Sequence, residues 1–378
     1  MLRTYASLLS IAALSCATAP ATPAPASAPP PAPASAAPAS GPPAAPAPAP
    51  APAATPAGPA SLTWKALPLP GATAPVTLDY LAYDAANGRV WVPVGDTASV
   101  DVLDVAAQTW SRVDGFKTAE REMQGRKRVM GPSAASAGDG FVFVGDRATG
   151  EVCPVDSRKL TLGKCLKLSS PTDGVAYVAS AREVWVTTPR DRSITVLDAT
   201  RPEALASKTV VRLDGSPEGY AVDDARGLFF TNLEDKDRTL VIDVRGHKPV
   251  GGPYHPDCGE AGPRGIAVDS QHDLVFVACT DHVVVLDRAH EGARAATIDT
   301  GAGVDNIDWL PARRLLFVGA ARARRLTVAH VDEQGHATIV ASGETPEGAR
   351  NPVADSSGTA YEADPANARV LVFSYPAQ

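Results

Sequence analysis

Five charged residues stand the same twelve places ahead of an aromatic: Asp79 before Trp91, Asp173 before Trp185, Glu218 before Phe230, Arg264 before Phe276 and Asp305 before Phe317. Allowing for shorter turns, Ser133 and Arg350 hold the matching places before Phe143 and Tyr361. The next residues are Tyr80, Ala134, Gly174, Gly219, Gly265, Asn306 and Asn351, most of them small or polar. Gathered at one spot, these positions supply four carboxylates, two guanidiniums and a hydroxyl. Carboxylate and amide oxygens suit a hard divalent cation. Guanidiniums suit a carboxylate or phosphate, which they can grip with two parallel hydrogen bonds. Tens of residues separate one candidate from the next, so only a repeated architecture can bring them together.

Such a repeat runs from Asp79 to the end of the chain. Its aromatic strands are RVWVPV (89–94), FVFVGD (141–146), EVWVTT (183–188), LFFTNL (228–233), LVFVAC (274–279), LLFVGA (315–320) and TAYEAD (359–364). Each is followed by a partner strand, SVDVLDV (99–105) in the first copy and RVLVFSY (369–375) in the last. The aromatics recur at about 40 to 52 residues, the period of a radially repeated sheet protein. Each unit offers four short β-rich runs broken by Gly, Asp, Asn and Pro, and no helical periodicity competes with them. The expected fold is all-β, a seven-bladed β-propeller with four strands to a blade. Asp104, Asp156, Asp198, Asp243 and Asp287 close the third strands and are expected to cap the turns that follow, not to bind metal.

Only Pro376, Ala377 and Gln378 follow the last partner strand, so blade seven lacks its outermost strand. TWKALPLPG (63–71) is a spare strand placed before blade one, and pairing it onto blade seven closes the ring and hides two sheet edges. In this topology the first residue of each first strand faces the channel mouth, which places the charged set on the axis. The unusually long segment KTAEREMQGRKRVMG (117–131), between blades one and two, falls on the same face. It carries Arg121, Arg126, Lys127 and Arg128 against Glu120 and Glu122. A long charged loop on an economical scaffold is a binding candidate, with Arg126 and Arg128 foremost; the alternative is a solvated turn with one short helix.

Phrases such as PRGIAVDSQHDLVFVACTDHVVVLDR and DYLAYDAANGRVWVPVGDTASVDVLDV resemble the YVTN-type β-propeller repeats of exported bacterial proteins. The resemblance covers essentially all of 63–376. It implies the fold and says little about activity, because the motif residues build blades.

The N-terminus carries its own signals. Residues 1–16 read as a signal peptide, with Arg3, a short apolar stretch and Ala13-Leu14-Ser15-Cys16 as a loose bacterial lipobox whose Cys16 would be lipidated. Residues 17–60 are almost only Ala, Pro, Ser and Thr, a disordered tether, and 61–378 form the propeller. The expected location is the bacterial periplasm or outer surface, with membrane contact only through the lipid anchor. Four further cysteines in an exported chain allow three disulfide connectivities. Propeller topology selects Cys153–Cys165, neighbours on adjacent strands of blade two, and Cys258–Cys279, which share the mouth face of blade five.

The net charge of −7 shows none of the basic excess of a nucleic-acid surface. There is no G-x-S-x-G, H-E-x-x-H or C-x-x-C-H, and the regular Trp motif of quinone-dependent dehydrogenase blades is absent. The expectation is a monomeric, non-catalytic binding scaffold without a cofactor, holding an unknown protein partner or a small polar ligand at the channel mouth. An anionic ligand would fall to Arg264 and Arg350. The alternative is a lactonase-like hydrolase, with a divalent cation held by Asp79, Asp173, Glu218, Asp305 and Asn306; the two arginines would weaken that cation.

Overall fold

The computed structural model describes residues 58–375 apart from Gln124, and gives only the backbone of Met123 and Arg126. The signal peptide, Cys16 and the tether up to residue 57 lie outside the described residues.

Seven antiparallel sheets follow one another along the chain. Blade 1 runs through Ala82–Asp84, Arg89–Val94, Ser99–Asp104 and Thr109–Asp114. The second strand of a blade is buried on both faces because a neighbouring blade covers each side; in blade 1 Val90, Trp91 and Val92 are all fully buried. Its aromatic packs across the blade interface: Trp185 lies 4.7 Å from Phe229, Phe276 4.6 Å from Trp309 and Phe143 5.4 Å from Tyr177. Aromatic pairs at such separations add to what burial alone provides. The aspartates that close the third strands cap the next turn as expected. Asp104 accepts from the Ala107 amide, Asp156 from Lys159, Asp198 from Thr200 and Asp287 from His290.

Ring closure also follows the expectation. Trp64–Pro68 is the fourth strand of blade 7, antiparallel to Arg369–Phe373, with Trp64 opposite Phe373 and Pro68 opposite Arg369. The segment before it does something the repeat does not announce. Ala60–Ser61 adds a parallel fifth strand to blade 6, opposite Ala341 and Ser342, and the Leu62 amide continues the ladder to the Ser342 carbonyl at 2.8 Å. One N-terminal segment therefore stitches the outer edges of two blades.

Two local expectations are corrected. The described residues of the 117–131 segment hold no helix; they form a β-hairpin of Ala119–Met123 and Arg126–Met130, with Arg121 opposite Arg128. Gly125 at the tip, with φ 72°, supplies the left-handed conformation that a tight hairpin turn needs. Cys165 is not on a continuous fourth strand of blade 2. That strand is split into Thr161–Leu162 and Leu166–Lys167, and Cys165 sits in the break. Pro154 on the facing strand has no amide to donate, so the ladder fails beside it. Both expected disulfides form, Cys153–Cys165 with Cα atoms 4.1 Å apart and Cys258–Cys279 at 5.1 Å.

Candidate functional site: the channel mouth

Inner strands of adjacent blades meet at the mouth through main-chain contacts. The Tyr80 amide donates to the Ser133 carbonyl at 3.0 Å, and the Gly265 amide to the Asp305 carbonyl at 2.7 Å. Asn232 Nδ2 reaches the Arg264 carbonyl at 2.6 Å. Asn351 joins three blades. Its Oδ1 accepts from the Asn306 amide at 3.0 Å, and its Nδ2 donates to Asp79 Oδ1 at 3.1 Å and Asp305 Oδ2 at 3.4 Å. Asn351 does this from a left-handed conformation, φ 55°, which Asn tolerates better than most residues.

Asp79, Asp173, Glu218 and Asp305 do come together, and their charges act on one another. Three of the four have a cation. Arg147 Nη2 pairs with Asp79 at 2.7 Å and with Asp173. Arg350 Nε lies 3.4 Å from Asp305 Oδ2. Glu218 alone has neither an ion pair nor a hydrogen bond among the described residues. Gly219 beside it has φ 69° and bulges the strand, and a Cβ there would overlap the Arg264 carbonyl. The bulge presents Glu218 at the rim.

The electrostatics follow from this arrangement. Burial, then the charges of Asp173, Asp305, Glu234 and Asp79, push the Glu218 carboxyl up to about 9. Burial raises Asp79 too, but Arg147 opposes it and the carboxyl stops at about 6. Burial works against the charge on Arg147, yet Asp79 and Asp173 outweigh it and hold the guanidinium above its ordinary range.

Tyr80 and Tyr220 form the floor. They come from blades 1 and 4, which are not neighbours, and their rings meet with centroids 5.5 Å apart, closing the axis beneath the carboxylates. A Cβ on Gly174 would overlap the Tyr220 ring, so the missing side chain in blade 3 is what lets that ring lie there. Tyr80 is 5% exposed, and its hydroxyl makes no hydrogen bond among the described residues. Burial and then Glu218, ahead of the other three carboxylates, hold that phenol well above its ordinary range. Below the tyrosines the channel opens into a cavity of about 440 Å³ lined by the inner strands, including Asn306.

Two expected site residues behave differently. Arg264 is not on the axis, because its Nη1 is bound to Glu234 at 2.6 Å. Ser133 is buried, with its Oγ unpartnered among the described residues. Arg147 and Glu234 were not anticipated. Both directly follow a second strand, and the topology that starts first strands at the mouth also ends second strands there. Counting from that end of the hairpin would have found them. Of the two arginines expected to hold an anion, Arg264 faces Glu234 and Arg350 faces Asp305. Arg128 and Arg350 do line a common pocket; the Arg126 side chain is not described. Among the described residues no group of three or more His, Cys, Asp or Glu is placed to hold a metal ion.

No protein-family model matches the chain, the YVTN-type repeat included, and no curated protein matches it. Solved structures do. Virginiamycin B lyase from Staphylococcus aureus superposes with a TM-score of 0.63 at 11% identity, over 84% of this chain and all of that one. Hydrazine synthase from Kuenenia stuttgartiensis gives 0.64 at 14%, over 80% and 98%. U3-55K gives 0.66 at 10%, over 84% and 100%. Likeness at such identities establishes the propeller and nothing finer.

Proposed function

We propose that this chain is an exported, lipid-anchored, non-catalytic binding propeller of the YVTN type. Its channel mouth receives a positively charged group, an ammonium or guanidinium on a small polar ligand or a partner protein. One observation carries the reading. Among the described residues Glu218 is the one mouth carboxylate of the four without a cation, while Arg147, Arg350 and Asn351 satisfy its three neighbours. A carboxyl pushed up to about 9 holds a proton at neutral pH, and an arriving cation would displace that proton. The two disulfides fit an oxidising compartment outside the cytoplasm.

Agmatine, which carries a guanidinium and an ammonium but no carboxylate, is a suitable probe. Calorimetry in two buffers of different ionisation enthalpy is expected to show binding with about one proton released at pH 7. The affinity should rise as the pH approaches 9. Glu218→Gln is expected to abolish both the binding and the proton release. Equal binding by the variant, or none by the native protein, would overturn the reading.

A further inference from the structure

The hairpin Ala119–Met130 divides the mouth face, and the pocket on its blade 7 side has no role in the reading above. It has a volume of about 430 Å³, within the range of small-molecule sites. Its floor is apolar: Pro75 on one side, Pro365 and Ala366 on the other, with the buried Val76 and Leu78 beneath. Its rim carries Lys127, Arg128 and Arg350 against a single acid, Asp96. Asp96 is already engaged, accepting a hydrogen bond from the Thr77 amide. The Lys127 ammonium reaches Glu120 at 3.5 Å across solvent, a contact of little strength.

That leaves two guanidiniums. Arg128 makes no hydrogen bond or ion pair among the described residues. Arg350 uses one edge on the mouth, with Nε near Asp305 and Nη2 donating to the Leu78 carbonyl at 3.3 Å, and its Nη1 makes no hydrogen bond among the described residues. A cationic rim over an apolar floor, in a chain whose net charge is −7, asks for a ligand of matching polarity. The hairpin is anchored over it by the Thr77 hydroxyl, which donates to the Val129 carbonyl at 3.1 Å.

We infer that this pocket binds a small amphiphilic carboxylate, its anionic head on Arg128 and Arg350 and its apolar body between Pro75 and Pro365. The site is separate from Glu218 and is selective for the opposite charge.

Octanoate tests the inference, with acetate as the head alone and octylamine as the same body with reversed charge. Calorimetry is expected to show octanoate binding at least tenfold more tightly than either. The double variant Lys127→Ala/Arg128→Ala, on exposed residues, should lose at least tenfold in octanoate affinity. Ala366→Phe, which fills the floor from an exposed position, should lose as much with the rim charges kept. Octanoate affinity within threefold of native in either variant, or octylamine binding as well as octanoate, would overturn the inference. Glu218→Gln should leave octanoate binding unchanged and the double variant should leave agmatine binding unchanged, so the two sites fail separately.

Discussion

The charged mouth of the axial channel and the cavity below it are built by the same inner strands, and they carry opposite kinds of residue. At the mouth the strands open with Asp79, Asp173, Glu218 and Asp305, tied to Arg147, Arg350 and Asn351. In the cavity below, six of the same strands present Tyr83, Ala137, Val222, Val268, Trp309 and Ala354, with Asp308 as the one carboxylate among the lining residues. Acids return where the strands end, at Asp84, Asp223 and Asp269, the last two paired with Arg226 and Arg314. Packing requirements are alike at both levels, since each strand must approach its neighbours closely. The cavity wall shows that apolar residues suffice for that approach, and the mouth holds charged groups at the expense of burying them.

The largest effect should come from removing the cation that serves two acids. Arg147→Met leaves Asp79 and Asp173 facing each other without a guanidinium. Breaking a buried pair from one side costs about 3–5 kcal/mol. Denaturant unfolding at pH 7 is expected to show a loss of that size, and a second substitution, Asp79→Asn, should recover a large part of it. A loss below about 1 kcal/mol would mean the mouth is held by its main-chain contacts, and its contrast with the cavity wall would weaken.

The contrast also separates what the sequence makes legible from what it does not. Blade number, ring closure and both disulfides follow from short-range patterns: alternating strands, turn residues and one spare strand. The four mouth carboxylates follow from the same pattern, because each sits at a fixed distance from its blade's aromatic. The partners of those residues are set by a different blade or a different strand. Arg147 reaches Asp79 from blade 2 to blade 1, Glu234 draws Arg264 off the axis, and Tyr80 meets Tyr220 across the ring. The repeat shows which strand ends share the mouth face, and so which residues are near one another there; which of them pair depends on the ring radius, and no periodicity in a single chain encodes that.

A smaller effect, of opposite sign, is expected at Glu218. Its folded carboxyl titrates at about 9, above the ordinary 4.5, so the folded state holds the proton more tightly than the unfolded one. The stability this contributes is fully present below about pH 4.5 and is lost as the pH rises through 9. Glu218→Gln mimics the protonated form at every pH. The variant should match the native protein near pH 4 and exceed it by about 1–3 kcal/mol at neutral pH. The gap should still be widening at pH 8. A variant less stable than the native protein at pH 8 would show that Glu218 has a cationic partner after all.

The smallest effect belongs to the cavity wall, and its shape matters more than its size. Asp308 is pushed up to about 6 by burial, opposed by hydrogen bonds from the Ala354 and Trp309 amides, and no neighbouring charge contributes to the shift. As at Glu218, the folded pKa is raised, so the stability gained from the buried acid is present at low pH. Here it is lost between about pH 4 and 6, and nothing changes above that. Asp308→Asn removes the titration but keeps an oxygen for the Ala354 amide, which donates to Asp308 Oδ2 at 2.6 Å. A neutral acceptor is weaker than a carboxylate, which offsets part of the gain and leaves a net stabilisation of about 1 kcal/mol above pH 6. The difference in unfolding free energy between variant and native protein should rise once between pH 4 and 6 and then stay flat, the curve of a single isolated group. The Glu218→Gln difference should rise over a broader range and keep rising to pH 9, because that carboxyl titrates together with its charged neighbours. A flat Glu218 curve above pH 6 would make the mouth and the cavity wall equivalent, and the mouth would lose its claim to a carboxylate waiting for a cation.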